Sequence, residues 1–188
     1  RDLARGEAYL ARLHREIALV APMFDRDREV IQLHFGGGTP NFLTPQQLGD
    51  VVDALRRQFH FAEAGDRDIS IEIDPRFCEP GWLPELAKIG FNRASLGVQD
   101  FDPKVQEAVN RIQSVEETRA VVEASRKAGL RSVNIDLIYG LPGQNLEGFG
   151  QTLDIVTEIR PDRLAVYSYA HMPHLFKPQK QIDEKLLL

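Results

Sequence analysis

Cysteine is nearly absent: Cys78 is the one thiol in 188 residues. A lone cysteine excludes an internal disulfide framework and points to a reducing compartment. It also excludes an iron–sulfur cluster held by these residues alone, because such clusters take three or four thiolates. Excess positive charge is missing too. The formal net charge is -5, which gives no electrostatic footprint for nucleic acid, and short clusters such as Arg56-Arg57 read as solvated helix faces. No apolar run approaches the ~20 residues that span a bilayer, and no basic-then-apolar leader opens the sequence. The expectation is a cytoplasmic protein with neither membrane nor nucleic-acid partners. There is no Ser/His/Asp arrangement, no nucleophile elbow and no His-Glu-x-x-His. Of the histidines, His171 and His174 alone stand at a loose metal-ligand spacing.

What is present is an ordinary globular composition, 43% hydrophobic and 27% charged, enough for one core. The sequence opens inside a helical pattern (Leu3, Tyr9, Leu10, Leu13, Ile17, Val20). It closes on Lys185-Leu186-Leu187-Leu188 after a polar stretch. Residues 1–188 therefore read as one incomplete domain.

Helix and strand signals alternate along it. Residues 7–20 carry helical spacing that Pro22 stops, and Val30 to Phe35 reads as a strand running into Gly36-Gly37-Gly38. Thr44-Pro45-Gln46-Gln47 combines an N-cap threonine, proline at the first helical position and glutamine three residues on, so a helix follows to about Phe59. Further strands are expected at Ile69–Ile73, Arg93–Val98, Ser132–Tyr139 and Arg163–Tyr169. Between them lie helices at Leu83–Lys88, Pro103–Asn110, Val115–Lys127 and Leu146–Ile159, with Gly90 and Gly129 as C-terminal caps. Such alternation predicts an α/β fold with parallel strands. A doubly wound sheet and a (β/α) barrel both fit it. Gly37, Glu72, Gln99, Asp136 and Tyr169 all fall at or near strand ends, which favours a barrel with its site on the C-terminal rim.

The residues at those ends carry the chemistry. The glycine triplet is either a tight turn or a place where backbone approaches a ligand closely. It lacks the Lys-Ser/Thr of a phosphate loop and the full dinucleotide pattern. Glu72 and Asp74 share one side of their strand, as a solvated or ion-paired terminus or as ligand contacts. Gln99 and Asp100 end the next strand, with Arg111 beyond. Asp136 lies among Val133, Ile135, Leu137 and Ile138, where an ionised carboxylate costs several kcal/mol unless paired or hydrogen-bonded. Carboxylates, amide and guanidinium together suit an amino-acid zwitterion or a ribose. Cys78 reads as a small buried residue.

Four segments together resemble the coproporphyrinogen-dehydrogenase branch of the radical S-adenosylmethionine (SAM) proteins. They are Leu33-His34-Phe35-Gly36-Gly37-Gly38-Thr39-Pro40, Ser70-Ile71-Glu72-Ile73-Asp74-Pro75-Arg76, Gly90 through Phe101, and Asn134-Ile135-Asp136-Leu137-Ile138-Tyr139-Gly140-Leu141-Pro142. The branch also holds haem chaperones, which bind without decarboxylating. Ile73-Asp74-Pro75, Gln99-Asp100-Phe101 and Tyr167-Ser168-Tyr169-Ala170-His171-Met172-Pro173 are similar to the oxygen-independent coproporphyrinogen III oxidases instead. The resemblance implies a radical SAM partial barrel lacking its first strand, whose free edge stays unpaired. It implies that Gly37, Gly38, Thr39, Glu72, Gln99, Arg111, Asp136 and Ala170 contact SAM. It also implies coproporphyrinogen III as substrate, an unidentified electron donor, and a [4Fe-4S] cluster on a Cys-x-x-x-Cys-x-x-Cys segment. No such segment stands in these residues and Cys78 matches none of its positions, so the cluster cysteines are expected upstream of Arg1 and no metal ligand within the chain.

Overall fold

Leucine and isoleucine at helical spacing build α1 (Leu3–Val20), and Pro22 turns its end into a single 3₁₀ turn. The computed structural model describes residues 3–187; Arg1, Asp2 and Leu188, the last of the closing leucine run, lie outside it, as does the side chain of Leu3. Two short strands follow, β1 (Glu29–Val30) and β2 (Gln32–Phe35). After them come α2 (Pro45–Gln58), β3 (His60–Phe61), β4 (Asp68–Ile73) and α3 (Trp82–Ile89). The remainder is β5 (Arg93–Gln99), α4 (Pro103–Ala108), α5 (Val115–Lys127), β6 (Ser132–Tyr139), α6 (Leu146–Ile159) and β7 (Arg163–Ser168).

One expected strand is in fact two. Val30 and Leu33 both turn inward, but they are an odd number of residues apart, which one continuous strand cannot bury on a single face. The chain breaks at Ile31, 56% exposed. β1 pairs with β3 in a two-stranded sheet, while β2 joins the main one. The helix expected to reach Asn110 ends at Ala108, because Asn110 adopts φ 52, a left-handed backbone that asparagine tolerates better than most residues. The last strand stops at Ser168 rather than Tyr169, although the Tyr169 N–H still donates to the Tyr139 carbonyl at 2.8 Å.

The main sheet has five strands in the order β2-β4-β5-β6-β7, all parallel. Each strand lies beside the next one in the chain, so the order never reverses and the switch point of a doubly wound sheet is lacking. The sheet does not close. Among the described residues the outer edges of β2 and β7 pair with no strand, as in a partial barrel.

Alternation divides the sheet's two faces. Ile69, Ile71, Ile73, Leu96, Val98, Val133, Ile135 and Leu137 are buried against Leu48 and Val52 of α2, Leu83 and Leu86 of α3, Val121 and Val122 of α5, and Val156 of α6. A parallel sheet covered by apolar layers on both sides reads as continuous hydrophobic runs. These strands alternate, and the other face carries Ser70, Glu72, Ser95, Gln99, Asn134 and Asp136 at intermediate exposure. No helix among the described residues is long and apolar enough to cross a membrane.

Candidate functional site

The polar face meets the strand ends in a cleft of about 130 Å³ lined by Gly38, Thr39, Glu72, Ile73, Asp74, Gly97, Gln99, Arg111 and Asp136. A larger hollow of about 410 Å³ lies between α1, β2 and α2, but its wall is mainly leucine, isoleucine, phenylalanine and valine with few convergent polar groups. The chemistry belongs to the smaller cleft.

The three glycines behave differently. Gly37 and Gly38 have φ 78 and 64, in the left-handed region, with open space around a notional β-carbon. Gly36 is crowded: a β-carbon there would sit 2.6 Å from His34 Nε2 and 2.8 Å from Glu72 Oε1. That close approach lets the Gly37 N–H donate to Glu72 Oε2 at 3.2 Å. The other carboxylate oxygen lies 3.3 Å from His34 Nε2, and His34 Nδ1 is 2.7 Å from Ser70 Oγ. Glu72 is thus held from two sides while remaining open to the cleft.

Asp74 is 7% exposed and paired. Arg76 Nη2 lies 2.7 Å and Arg111 Nη1 3.1 Å from its Oδ2. Burial pushes the Asp74 carboxyl upward, but the hydrogen bond from Arg76 and the charges of Arg111 and Arg76 outweigh it and hold the group below the usual carboxylate range. Arg111 Nη2 donates to the Gly97 carbonyl at 2.7 Å, and Nε has no partner within the chain. Burial draws the Arg111 pKa down against the pull of Asp74, yet a guanidinium stays charged at neutral pH. The guanidinium lines the cleft and is the group there that suits a ligand carboxylate.

Asp136 accepts from Ser95 Oγ at 2.9 Å and from Asn134 Nδ2 at 2.7 Å. Burial nevertheless raises its pKa above the usual range, opposed by those hydrogen bonds and assisted by the charge of Glu72. Gln99 has φ 72, and its buried Oε1 finds no partner in the chain. A buried acceptor left unpaired is costly; the Gln99 side chain also lines the cleft.

The structure therefore brings Gly38, Thr39, Glu72, Gln99, Arg111 and Asp136 into one cleft and ties Gly37 to it through Glu72. It does not bring Ala170 in. That residue is exposed beyond β7, its carbonyl accepting from Gln179 Nε2 at 3.0 Å, and it is absent from the cleft wall. Asp100, adjacent to Gln99, turns into the protein instead of the cleft. Reading single residues missed His34, Ser70, Ser95, Gly97 and Asn134. Their signal was available as polar or small residues two apart in strands that otherwise bury isoleucine, leucine and valine.

The donor set fits SAM, with acids for an ammonium and for ribose hydroxyls, a guanidinium for a carboxylate and an unpaired amide oxygen. It does not fit an iron–sulfur cluster. Cys78, the one cysteine, is buried with its thiol pushed up to about 12, and its Sγ lies 3.8 Å from the Glu79 carbonyl. It is a thiol where a cluster needs a thiolate. No group of three potential ligands stands together among the described residues.

Comparison with known proteins identifies the family. The profile of the Radical SAM superfamily matches residues 4–156. The chain is 50% identical over 183 residues to an oxygen-independent coproporphyrinogen III oxidase of Pseudomonas aeruginosa, covering 97% of this chain and 40% of that protein. It is 46% identical over 180 residues to the protein of the same name from Helicobacter pylori, covering 95% and 39%. Among solved structures, coproporphyrinogen III oxidase from Escherichia coli, described as a radical SAM enzyme, superposes with a TM-score of 0.95 at 46% identity, over 100% of this chain and 43% of that one. The chain thus spans about 40% of the length of such relatives.

Proposed function

This chain belongs to the radical SAM superfamily, and from that membership we propose that it is the central part of an oxygen-independent coproporphyrinogen III oxidase, residues 1–188 being an incomplete core domain. The superfamily implies SAM and a [4Fe-4S] cluster. The observation that carries the reading is the convergence of Glu72, Gln99, Arg111 and Asp136 on one cleft in a chain 50% identical to such an oxidase.

In the proposed reaction two propionate side chains of coproporphyrinogen III become vinyl groups, giving protoporphyrinogen IX. Each conversion of CH₂–CH₂–COO⁻ to CH=CH₂ releases CO₂ and removes one hydrogen atom, which the cleaved SAM would take up, and one electron, which would return to the redox partner that supplies the electron for that cleavage. The chemistry that SAM supplies when bound beside a reduced cluster is one-electron cleavage of a carbon–sulfur bond, followed by hydrogen abstraction. This chain contributes binding and orientation. The Gly37 and Gly38 backbone and Thr39 line the approach of the amino group, while Glu72 and Asp136 accept from the ammonium or from hydroxyls. The Arg111 guanidinium would hold a carboxylate and the Gln99 amide would meet a polar group of the ligand. Ala170 is kept as a contact of the adjoining part of the ligand. No step is assigned to Cys78. An electron donor of unspecified identity completes the partners, the -5 charge argues against nucleic acid, and the lone thiol supports a cytoplasmic location.

The test is anaerobic assay of the intact protein with its cluster reconstituted, following CO₂, vinyl product and methionine together. Stoichiometric appearance of all three is expected. Tight haem binding with no porphyrinogen consumed would contradict the proposal and leave a chaperone-like binding role in its place.

A further inference from the structure

Asp100 follows Gln99 directly, yet it is 1% exposed and every atom of its carboxylate faces protein. Oδ1 accepts from Thr152 Oγ1 at 2.5 Å and from the Asp102 N–H at 2.8 Å. Oδ2 accepts from Gln144 Nε2 at 2.5 Å, and the Asp100 carbonyl accepts from Gln106 Nε2 at 2.9 Å. Each of these partners is tied to a different part of the rim. Thr152, on α6, accepts the Phe101 N–H at 3.1 Å. Gln144 donates to the Ile138 carbonyl at 2.9 Å and accepts the Gly140 N–H at 2.5 Å, which closes the turn after β6. Gln106 exchanges two hydrogen bonds with the Gln113 backbone, at 2.9 and 3.0 Å, and its carbonyl accepts the Arg111 N–H at 2.8 Å.

None of these partners is cationic. A buried carboxylate held by dipoles alone is a costly way to stabilise a loop, since desolvation takes several kcal/mol that a neutral side chain would not require. The network has a second effect. Gln99 sits at φ 72, a left-handed backbone disfavoured for a non-glycine residue. It persists only where its neighbours fix it. Asp100 is that neighbour. Gly97 makes room beside it: a β-carbon there would lie 3.1 Å from Arg111 Nη2 and 3.2 Å from Gln99 Nε2.

We infer that Asp100 is the positioning residue of the cleft, its buried carboxylate fixing Gln99 in its left-handed conformation so that the Gln99 side chain meets the ligand. The inference rests on the cleft being the SAM site.

The experiment measures SAM affinity by equilibrium dialysis and thermal unfolding in the intact protein, for Asp100→Asn, Gln99→Ala, their double mutant, Thr152→Val and Thr152→Ser. Asp100→Asn and Thr152→Val are expected to weaken SAM ~10-fold, the loss of a hydrogen bond to a charged group. Thr152→Ser, which keeps the hydroxyl, should bind like wild type. In the Gln99→Ala background Asp100→Asn should add little further, because its effect passes through Gln99. Should Asp100→Asn not fold, the Thr152 pair carries the test alone. Lowered melting with unchanged SAM affinity, or full additivity with Gln99→Ala, would make Asp100 merely structural and overturn the inference. If Gln99→Ala weakens SAM and Asp100→Asn does not, only Asp100's role falls. If wild type binds no SAM, the cleft reading falls, and this inference with it.

Discussion

Gly36, Gly37 and Gly38 are adjacent and identical in the sequence, yet they answer to different constraints. Gly37 and Gly38 are required by backbone angle, Gly36 by the His34 and Glu72 side chains beneath it. Gly37→Ala should therefore cost about 1 kcal/mol of stability through strain at φ 78. Gly36→Ala can be absorbed by movement of the half-exposed His34 and should cost less. The order reverses for SAM, since displacing His34 and Glu72 disturbs the cleft directly; urea unfolding beside SAM titration separates the two effects. Asp74 offers a pH test. Its folded pKa is lowered, so its stabilisation is present above the unfolded value of about 4 and is lost as pH falls through the lower folded value. Asp74→Asn should lose about 3 kcal/mol at pH 7, the cost of leaving a partly buried guanidinium unpaired. The gap from wild type should shrink on acidification below about pH 4. A gap independent of pH would contradict the pairing. An ion-paired terminus was one of the readings of Asp74, but its partner Arg111 could not be named in advance. Asp74 and Arg76 stand near each other in the sequence, but Arg111 reaches them only through the folding of α4 and its following turn.

At the scale of elements, caps and alternation were legible because they are local. Thr44 and Gln47 form the expected reciprocal capping box, at 3.2 and 3.0 Å, and Gly90 ends α3 at φ 112. Ser114 and Glu117 form a second box that opens α5. The break at Ile31 was not legible, since Val30 to Phe35 holds no glycine or proline to interrupt a strand and the partner of β1 lies in β3. Asp100 was also misplaced. It follows a rim residue in sequence, but the left-handed turn at Gln99 swings it inward, and only long-range partners on α4, α6 and the turn after β6 reveal that. The apolar face of the sheet is the main stabilising layer, and Ile135 lies at its centre, 0% exposed. Ile135→Ala should cost about 2–5 kcal/mol by leaving a cavity between sheet and helices, read as a lowered urea midpoint with unchanged slope. A loss under ~1 kcal/mol would mean that this layer is looser than the structure shows.

Across the whole molecule, five parallel strands in chain order place every strand end on one rim, which is why residues from Gly38 to Asp136 meet in one cleft. Strand ends in the sequence indicated that rim. The order of the strands, which separates a partial barrel from a doubly wound sheet, came from the pairing alone. The same arrangement explains why a chain with one cysteine still matches the radical SAM profile over residues 4–156. On the proposed reading, the polar contacts of the cleft and the thiolates of a cluster are separate requirements, and the polar groups gathered there address the first. The most direct measurement is SAM affinity in the intact protein for wild type, Glu72→Gln, Asp136→Asn and Glu85→Gln, the last lying outside the cleft in a separate hollow beside α2 and α3. The account predicts ~10-fold or greater weakening for the two cleft variants, as for loss of a charged hydrogen-bond acceptor, and none for Glu85→Gln. Equal affinity in all four proteins would contradict it.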